Sequence, residues 1–280
     1  AYAFENLPHS SFMRSRFPGA CLAAAFALLI CTPSRLAPAE PPPDQEKPNY
    51  AQLARGPETL HYSIDWRVFD AGTAKLTLTP ENKNGKQEWQ SNLKLESSGV
   101  IAALYRVMDE YNVHLEEDFC ATNSVFSAEE GKRNRETRVA FDRARGRASY
   151  VEKDRIKNSI LKAGQTDTPT CVSDVVGGLY RLRTMKMEPG QSLRIPVSDG
   201  KKSAQVRVEA QAREQVVTKM GKFNTVRCEV FLFNGVLFSR RATLEIWMTD
   251  DERHLPVQLR VRLPILIGTI TFQLDKEERS

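Results

Sequence analysis

From Glu58 onward, apolar and polar residues alternate with a period of two through segment after segment. Successive side chains of a β-strand point to opposite faces, so this pattern predicts strands with one buried and one wet face. Leu60, Tyr62, Ile64, Trp66 and Val68 share one face of the first. Asp70-Ala71-Gly72 reads as the turn into a second, carrying Ala74, Leu76 and Leu78. After the loop "ENKNGKQ", Trp89, Leu93 and Leu95 mark a third, and Val107, Tyr111, Val113 and Leu115 a fourth. Val139 and Phe141 lead to a turn around 142–146, and Ala148 and Tyr150 return. Further on come Val206, Val208, Ala210 and Ala212, a strand over 226–233, then Leu244, Ile246 and Met248. Val257, Leu259, Val261 and Leu263 form the next, and Ile270, Phe272 and Leu274 the last. Roughly a dozen short strands at this spacing, with no long linker between them, predict one antiparallel sandwich or barrel over 58–276.

Two segments break the rhythm. "SSGVIAALYRV", residues 97–107, places Val100, Ile101 and Leu104 at helical spacing. "CVSDVVGGLYRLRT", residues 171–184, does the same with Val175, Val176, Leu179 and Leu182. Asp174, or Ser173 before it, is placed to accept hydrogen bonds from the exposed N–H groups of the first helical turn. Gly177-Gly178 costs on the order of 1 kcal/mol each relative to alanine in a helix. Close packing of the helix backbone on the sheet is the reason to tolerate that.

The first forty residues carry an address. Met13-Arg14-Ser15-Arg16 is a short basic region, "ACLAAAFALLI" an apolar one, and Ala37-Pro38-Ala39 a small-x-small cleavage pattern. Together they predict a signal peptide and export, with residues 1–39, including the stretch before Met13, outside the folded unit. A fraying helix is the bland alternative. The apolar run is shorter than the roughly 20 residues a bilayer demands, so no transmembrane segment is expected after cleavage. Ile30 before Cys31 argues against lipidation. Residues 40–57, "EPPPDQEKPNYAQLARGP", read as a proline-rich flexible arm.

Charge and cysteines narrow the chemistry. Lys and Arg number 40 against 35 Asp and Glu, and leaving out 1–39 makes it 37 against 34. So mild an excess argues against nucleic acid as a partner. The basic run over 132–157 is interspersed with Glu136, Asp142, Glu152 and Asp154, as on a solvated strand face, with attraction to anionic lipid or envelope polymer the weaker alternative. Of the cysteines beyond residue 39, Cys228 alternates with Val226, Val230 and Leu232 as a small buried hydrophobe. Cys120 and Cys171 sit near element ends, and they are the expected disulfide of an exported protein. A bridged Cys171 is no nucleophile, and His61, His114 and His254 stand in no motif with it. There is no C-x-x-C or H-x-x-x-H, and Asp250-Asp251 reads as a turn, so no catalytic residue, metal or cofactor is assigned. Arg181 and Arg183, two apart on the helix, face different ways and point to a structural ion pair rather than an anion clamp.

Several segments in order resemble the domain-of-unknown-function 3108 family: "LHYSIDWRVFDAGTAKL", "SSGVIAALYRVMDEY", "SDVVGGLYRLRT", "VTKMGKFNTVRCEV" and "WMTDDERHLPVQLRVRLPILIGTITFQL". The resemblance implies an exported bacterial envelope protein. It also implies an open or spiral β-barrel or half-barrel like that of periplasmic lipoprotein carriers, with one or two short helices plugging the concave side. Fold alone implies no activity.

The leading expectation is a non-catalytic periplasmic protein binding an apolar or amphiphilic, lipid-like ligand. Trp66, Tyr111 and Tyr180 are the lining candidates, since an aromatic with one polar tip suits an amphiphile. The alternative is a structural protein that supports the envelope by contacting another envelope protein or cell-wall polymer. An unrecognised hydrolase is a remoter third.

Overall fold

Alternation in the sequence becomes alternation of burial in space. The computed structural model describes residues 56–279 except 84 and 265. The expected signal peptide and all but the last two residues of the expected arm lie outside the described residues.

Eight strands precede the second helix: β1 (Glu58–Trp66), β2 (Phe69–Lys83), β3 (Lys86–Ser97), β4 (Val107–Glu116), β5 (Ala121–Glu130), β6 (Arg133–Asp142), β7 (Arg147–Asp154) and β8 (Ser159–Asp167). Six follow it: β9 (Ser192–Ser198), β10 (Ser203–Thr218), β11 (Gly221–Phe231), β12 (Thr243–Thr249), β13 (Pro256–Arg262) and β14 (Thr269–Arg279). Helix α1 (Gly99–Leu104) joins β3 to β4, and α2 (Val175–Arg183) joins β8 to β9.

All 14 strands of the described residues form one sheet in the order β8-β7-β6-β5-β4-β3-β2-β1-β14-β13-β12-β11-β10-β9. Every neighbouring pair is antiparallel, and the first and last strands pair in the middle, Tyr62 opposite Leu274. Edges β8 and β9 are left unpaired with each other, so the sheet is an open barrel. One bridge reaches across that opening, where Ser173, just before α2, pairs in parallel with Val197 of β9. Further round, the carbon of a side chain at Gly200 would overlap Val139 of β6, so the β9–β10 turn packs against β6 and the open sheet curls as a spiral.

Several expected turns are tighter than their sequences suggest. β1 ends at Trp66, opposite Phe69, and the connection is only Arg67-Val68. Val68 therefore stands in solvent, and Asp70-Ala71-Gly72 belongs to β2, where a register shift falls opposite. A two-residue link closes the hairpin more directly than a longer turn. The loop "ENKNGKQ" is likewise mostly strand, since Lys83 pairs with Lys86. Leu263 lies one residue beyond β13 yet is buried, and β14 continues to Arg279, past the expected boundary at 276.

The helices differ. α2 runs through the concave side, with Val176 and Tyr180 in one core cluster and Leu182 in another. α1 has no buried residue, and Val100 and Leu104 face solvent. One helix plugs the barrel, and the other sits on its edge.

Candidate functional site: an apolar cavity beside the plug helix

The local sequence fixes α2 firmly. Asp174 caps it, accepting from the backbone N–H of Gly177 at 2.7 Å and of Val176 at 3.2 Å. Burial raises the Asp174 pKa, against the pull of these donors. A side-chain carbon at Gly177 would lie 2.8 Å from Leu115 Cδ2 and 2.7 Å from Asp174 Oδ1. Glycine is the residue that permits this approach. Cys120 and Cys171 form the disulfide, with Cα atoms 5.2 Å apart, tying the segment before α2 to the β4–β5 turn. Ser173 Oγ donates to the Phe119 carbonyl at 2.9 Å, and Ala121 N–H to the Val172 carbonyl at 2.8 Å. Asp118 lies near both sulfurs. Oxidised to a bridge, they offer no thiolate to a metal.

Below this latch one end of the barrel is packed with large side chains. Trp89 stacks on Phe119 at 5.4 Å between ring centroids, and Phe119 on Tyr180 at 5.8 Å. The Arg183 guanidinium lies 5.4 Å from the Tyr180 ring centre. It donates to both Glu58 oxygens, at 2.5 and 3.0 Å, and Arg279 adds a third contact at 2.5 Å. Burial alone would raise the Glu58 pKa, but the two guanidinium groups outweigh it and hold the carboxyl below its usual range. This is the structural ion pair anticipated for the helix arginines, made by Arg183. Arg181 turns the other way, toward Cys171 Sγ at 3.3 Å.

On the other side of α2 the concave face is not filled. A cavity of about 230 Å³ lies between α2 and the sheet. Its walls include Leu76, Val176, Leu179, Val208, Ile246 and Phe238. Among the described residues Tyr62 is the single lining residue with a polar side-chain atom, and its hydroxyl donates to the Pro256 carbonyl at 2.8 Å. Burial pushes the Tyr62 hydroxyl well above its usual pKa, so it stays neutral. A smaller chamber of about 80 Å³ shares Leu93, Leu95, Val175, Val176 and Phe238 with the large one, and adds polar groups including Asp109, Ser124 and Thr137. Burial raises the pKa of Asp109.

The expected lining needs correction. Tyr111 lines the smaller chamber. Tyr180 is fully buried in the aromatic stack and reaches neither chamber. Trp66 sits at the end of β1, its Nε1 donating to the Ile267 carbonyl at 2.7 Å, and is not a lining residue. Aromatic character marked all three, but the ring stack and the strand end claimed two of them. The actual walls are mostly aliphatic residues on α2 and at the inward positions of many strands, legible as core and indistinguishable from a filled core.

Comparison with curated proteins finds no match. Among solved structures, the chain is similar to a β-barrel-like protein of domain of unknown function DUF1849 from Brucella abortus, at 8% identity and TM-score 0.51. The match covers 80% of this chain and 98% of that one. A protein with a YmcC-like fold from Bacteroides fragilis aligns over 83% of this chain and 98% of its own, at 8% identity and TM-score 0.35. The first likeness shows the fold alone. The model of DUF3108, described as a protein of unknown function, matches residues 61–275, and the chain belongs to that family.

Proposed function

We propose that this is a non-catalytic binding or carrier protein of the bacterial cell envelope, holding an apolar or amphiphilic, lipid-like molecule between α2 and the sheet. The observation that carries this reading is the cavity, with about 230 Å³ of space and one polar lining side chain. Apolar cavities of roughly 150 Å³ stay dry and take up a molecule the size of benzene, so this one has room for a longer chain. Among the described residues the large chamber is lined by no carboxylate, imidazole, thiol or aliphatic hydroxyl, which favours binding over hydrolysis. The address in residues 13–39 and the disulfide support an envelope location.

The test is native mass spectrometry and lipid extraction of freshly purified protein, followed by titration with cis-parinaric acid. Bound amphiphile, and a fluorescence rise that Ile246→Trp abolishes in a folded variant, is the expected result. Protein without extractable lipid that leaves the probe dark removes the reading.

The structural alternative has one observation of its own. Strand β8 is exposed along nearly its whole length and, among the described residues, pairs only with β7. Such an edge can accept a strand from another protein. Crosslinking in cells from a photoreactive residue at Leu161 recovers a specific envelope protein if this second reading holds, and nothing if it fails.

A further inference from the structure

The large hydrophobic side chains left in solvent are concentrated along one edge of the barrel. Val68 is 87% exposed, Leu104 77% and Leu266 89%, and Phe69, Val100 and Ile156 are exposed too. They stand far apart in sequence, yet a run of contacts between turns places them on one arc. Arg67 binds the β13–β14 turn, its N–H donating to the Thr269 carbonyl and its guanidinium to the Leu266 carbonyl, both at 2.8 Å. Ser98, at the start of α1, donates through its hydroxyl to Asp70 and through its N–H to the Ala71 carbonyl. After α1, the Tyr105 ring packs on Gly131 of the β5–β6 turn, whose N–H donates to the Arg106 carbonyl. Finally Arg155, beside Ile156 in the β7–β8 turn, donates its N–H to the Asn134 carbonyl. By contrast, the turns at the other strand ends expose only Val217 and Met220 among the described residues.

Charge follows the same arc. Lys132, Arg155 and Lys157 are exposed at its turns and form no ion pair among the described residues. The carboxylates there are engaged locally: Asp70 accepts from Gly72 N–H, and Asp154 from the N–H groups of Ile156 and Lys157. Asp70 and Glu96 are exposed acids at the arc, and Asp70 is held by the Gly72 N–H and the Ser98 hydroxyl.

We infer that this arc docks the barrel on the surface of an anionic lipid bilayer, with the apolar turn tips in the headgroup layer and the free cations against lipid phosphates. Separate projecting tips with lysine and arginine between them suit a soft planar surface, where apolar burial and attraction to anionic lipid add. The cavity walls come from the adjoining ends of the strands: Ala74 follows Gly72 closely, Leu95 precedes Ser97, and Val261 is next to Arg262. Docking does not depend on whether that cavity is occupied.

The experiment is flotation of the whole chain, processed alike in all samples and stripped of lipid, with two kinds of vesicle. One mixes phosphatidylethanolamine and phosphatidylglycerol, and the other is phosphatidylcholine alone. Wild type is expected to float with the anionic vesicles. Phe69→Ser/Leu104→Ser/Leu266→Ser is expected to bind about tenfold more weakly, a loss of about 1.4 kcal/mol. Lys132→Glu/Lys157→Glu is expected to lose binding to anionic vesicles and leave the neutral ones unchanged. Because all five positions are exposed, the variants keep the wild-type melting temperature. Wild type that stays at the bottom of the gradient overturns the inference, as does a triple variant that floats equally well. Dimers or a co-purifying protein that the triple variant alone abolishes also overturn it, by assigning the arc to a protein interface.

Discussion

The two ends of this barrel are built from the same strands by opposite rules. At one end the chain is latched by a disulfide, a capped helix, an aromatic stack and a buried ion pair. Outside that end, charges are matched, with Arg143 on Glu116 and Asp118, and Arg213 on Glu188 and Asp250. At the other end the interior keeps a cavity of about 230 Å³, and the turns carry exposed apolar tips and unpaired lysines. A packed core supplies stability, whereas exposed apolar surface and unfilled volume cost it. The difference teaches that the features expected to carry stability are concentrated at the latched end, and the proposed ligand and surface contacts fall at the other.

Breaking the latch gives the largest effect. Cys120→Ala/Cys171→Ala opens a loop with a sequence separation of 51. In the chain-entropy model this loses about 4 kcal/mol. A urea midpoint that does not move would show that the disulfide contributes nothing to the stability of this end.

Next comes the ion pair. Glu58→Gln leaves the fully buried Arg183 guanidinium short of its counter-charge, and is expected to cost about 3 kcal/mol at neutral pH. The sign of its pH dependence follows from the depressed Glu58 pKa. A carboxyl with a lowered native pKa stabilises the fold above its unfolded value and loses that contribution as the pH falls through the native value. The gap between wild type and Glu58→Gln is therefore expected to be flat above about pH 5.5 and to narrow below about pH 4.5. Urea unfolding at several pH values measures it, and a gap that widens in acid contradicts the assignment.

The glycine pair sharpens the comparison, because Gly177 faces the latched end and Gly178 the cavity side. Alanine at Gly177 meets Leu115 and Asp174 at under 3 Å, whereas at Gly178 the nearest atom is Val197 Cγ2 at 3.3 Å. Gly177→Ala is expected to lose about 2 kcal/mol to overpacking. Gly178→Ala regains about 1 kcal/mol of helix propensity, offset by a small shift of Val197, and is expected to lie near neutral. Equal melting temperatures for the two variants would remove the distinction.

How much of this was legible in the sequence depends on what each residue has to bury. The strands around Leu60, Val113, Val208 and Val257 announced themselves because each packs an apolar face on the core. Strand β5 did not, since its inward positions include Ser124, Ala128 and Glu130, which blur the alternation. Strand β8 buries nothing and carries no pattern. Strand β9 had a signal in Leu193, Ile195 and Val197, masked by Pro196, which is tolerated because the strand is an edge. The helix cap was local enough to read, and the disulfide followed because Cys228 reads as core and leaves only Cys120 and Cys171. Glu58 and Arg183 are 125 residues apart, and no spacing rule joins them. A cavity is the failure of side chains to meet, and periodicity says which face is inward without saying whether it is full.

The smallest stability effect is the sharpest test of the open end. The spacing of Val100, Ile101 and Leu104 suggested a packed helix, but α1 buries none of its residues. If Leu104 made hidden contacts, Leu104→Ser would cost several kcal/mol, as core truncations do. With 77% of the side chain already in solvent, the substitution is expected to shift stability by no more than about 0.5 kcal/mol. Leu255→Ala, at a fully buried position near the latch, is the matched control and is expected to lose at least about 2 kcal/mol. Parallel urea titrations decide between the two outcomes. Equal losses would mean that the open end is packed in solution. A silent Leu104→Ser that still weakens flotation on anionic vesicles would mean that this leucine contributes little to the fold and is retained for the surface it meets.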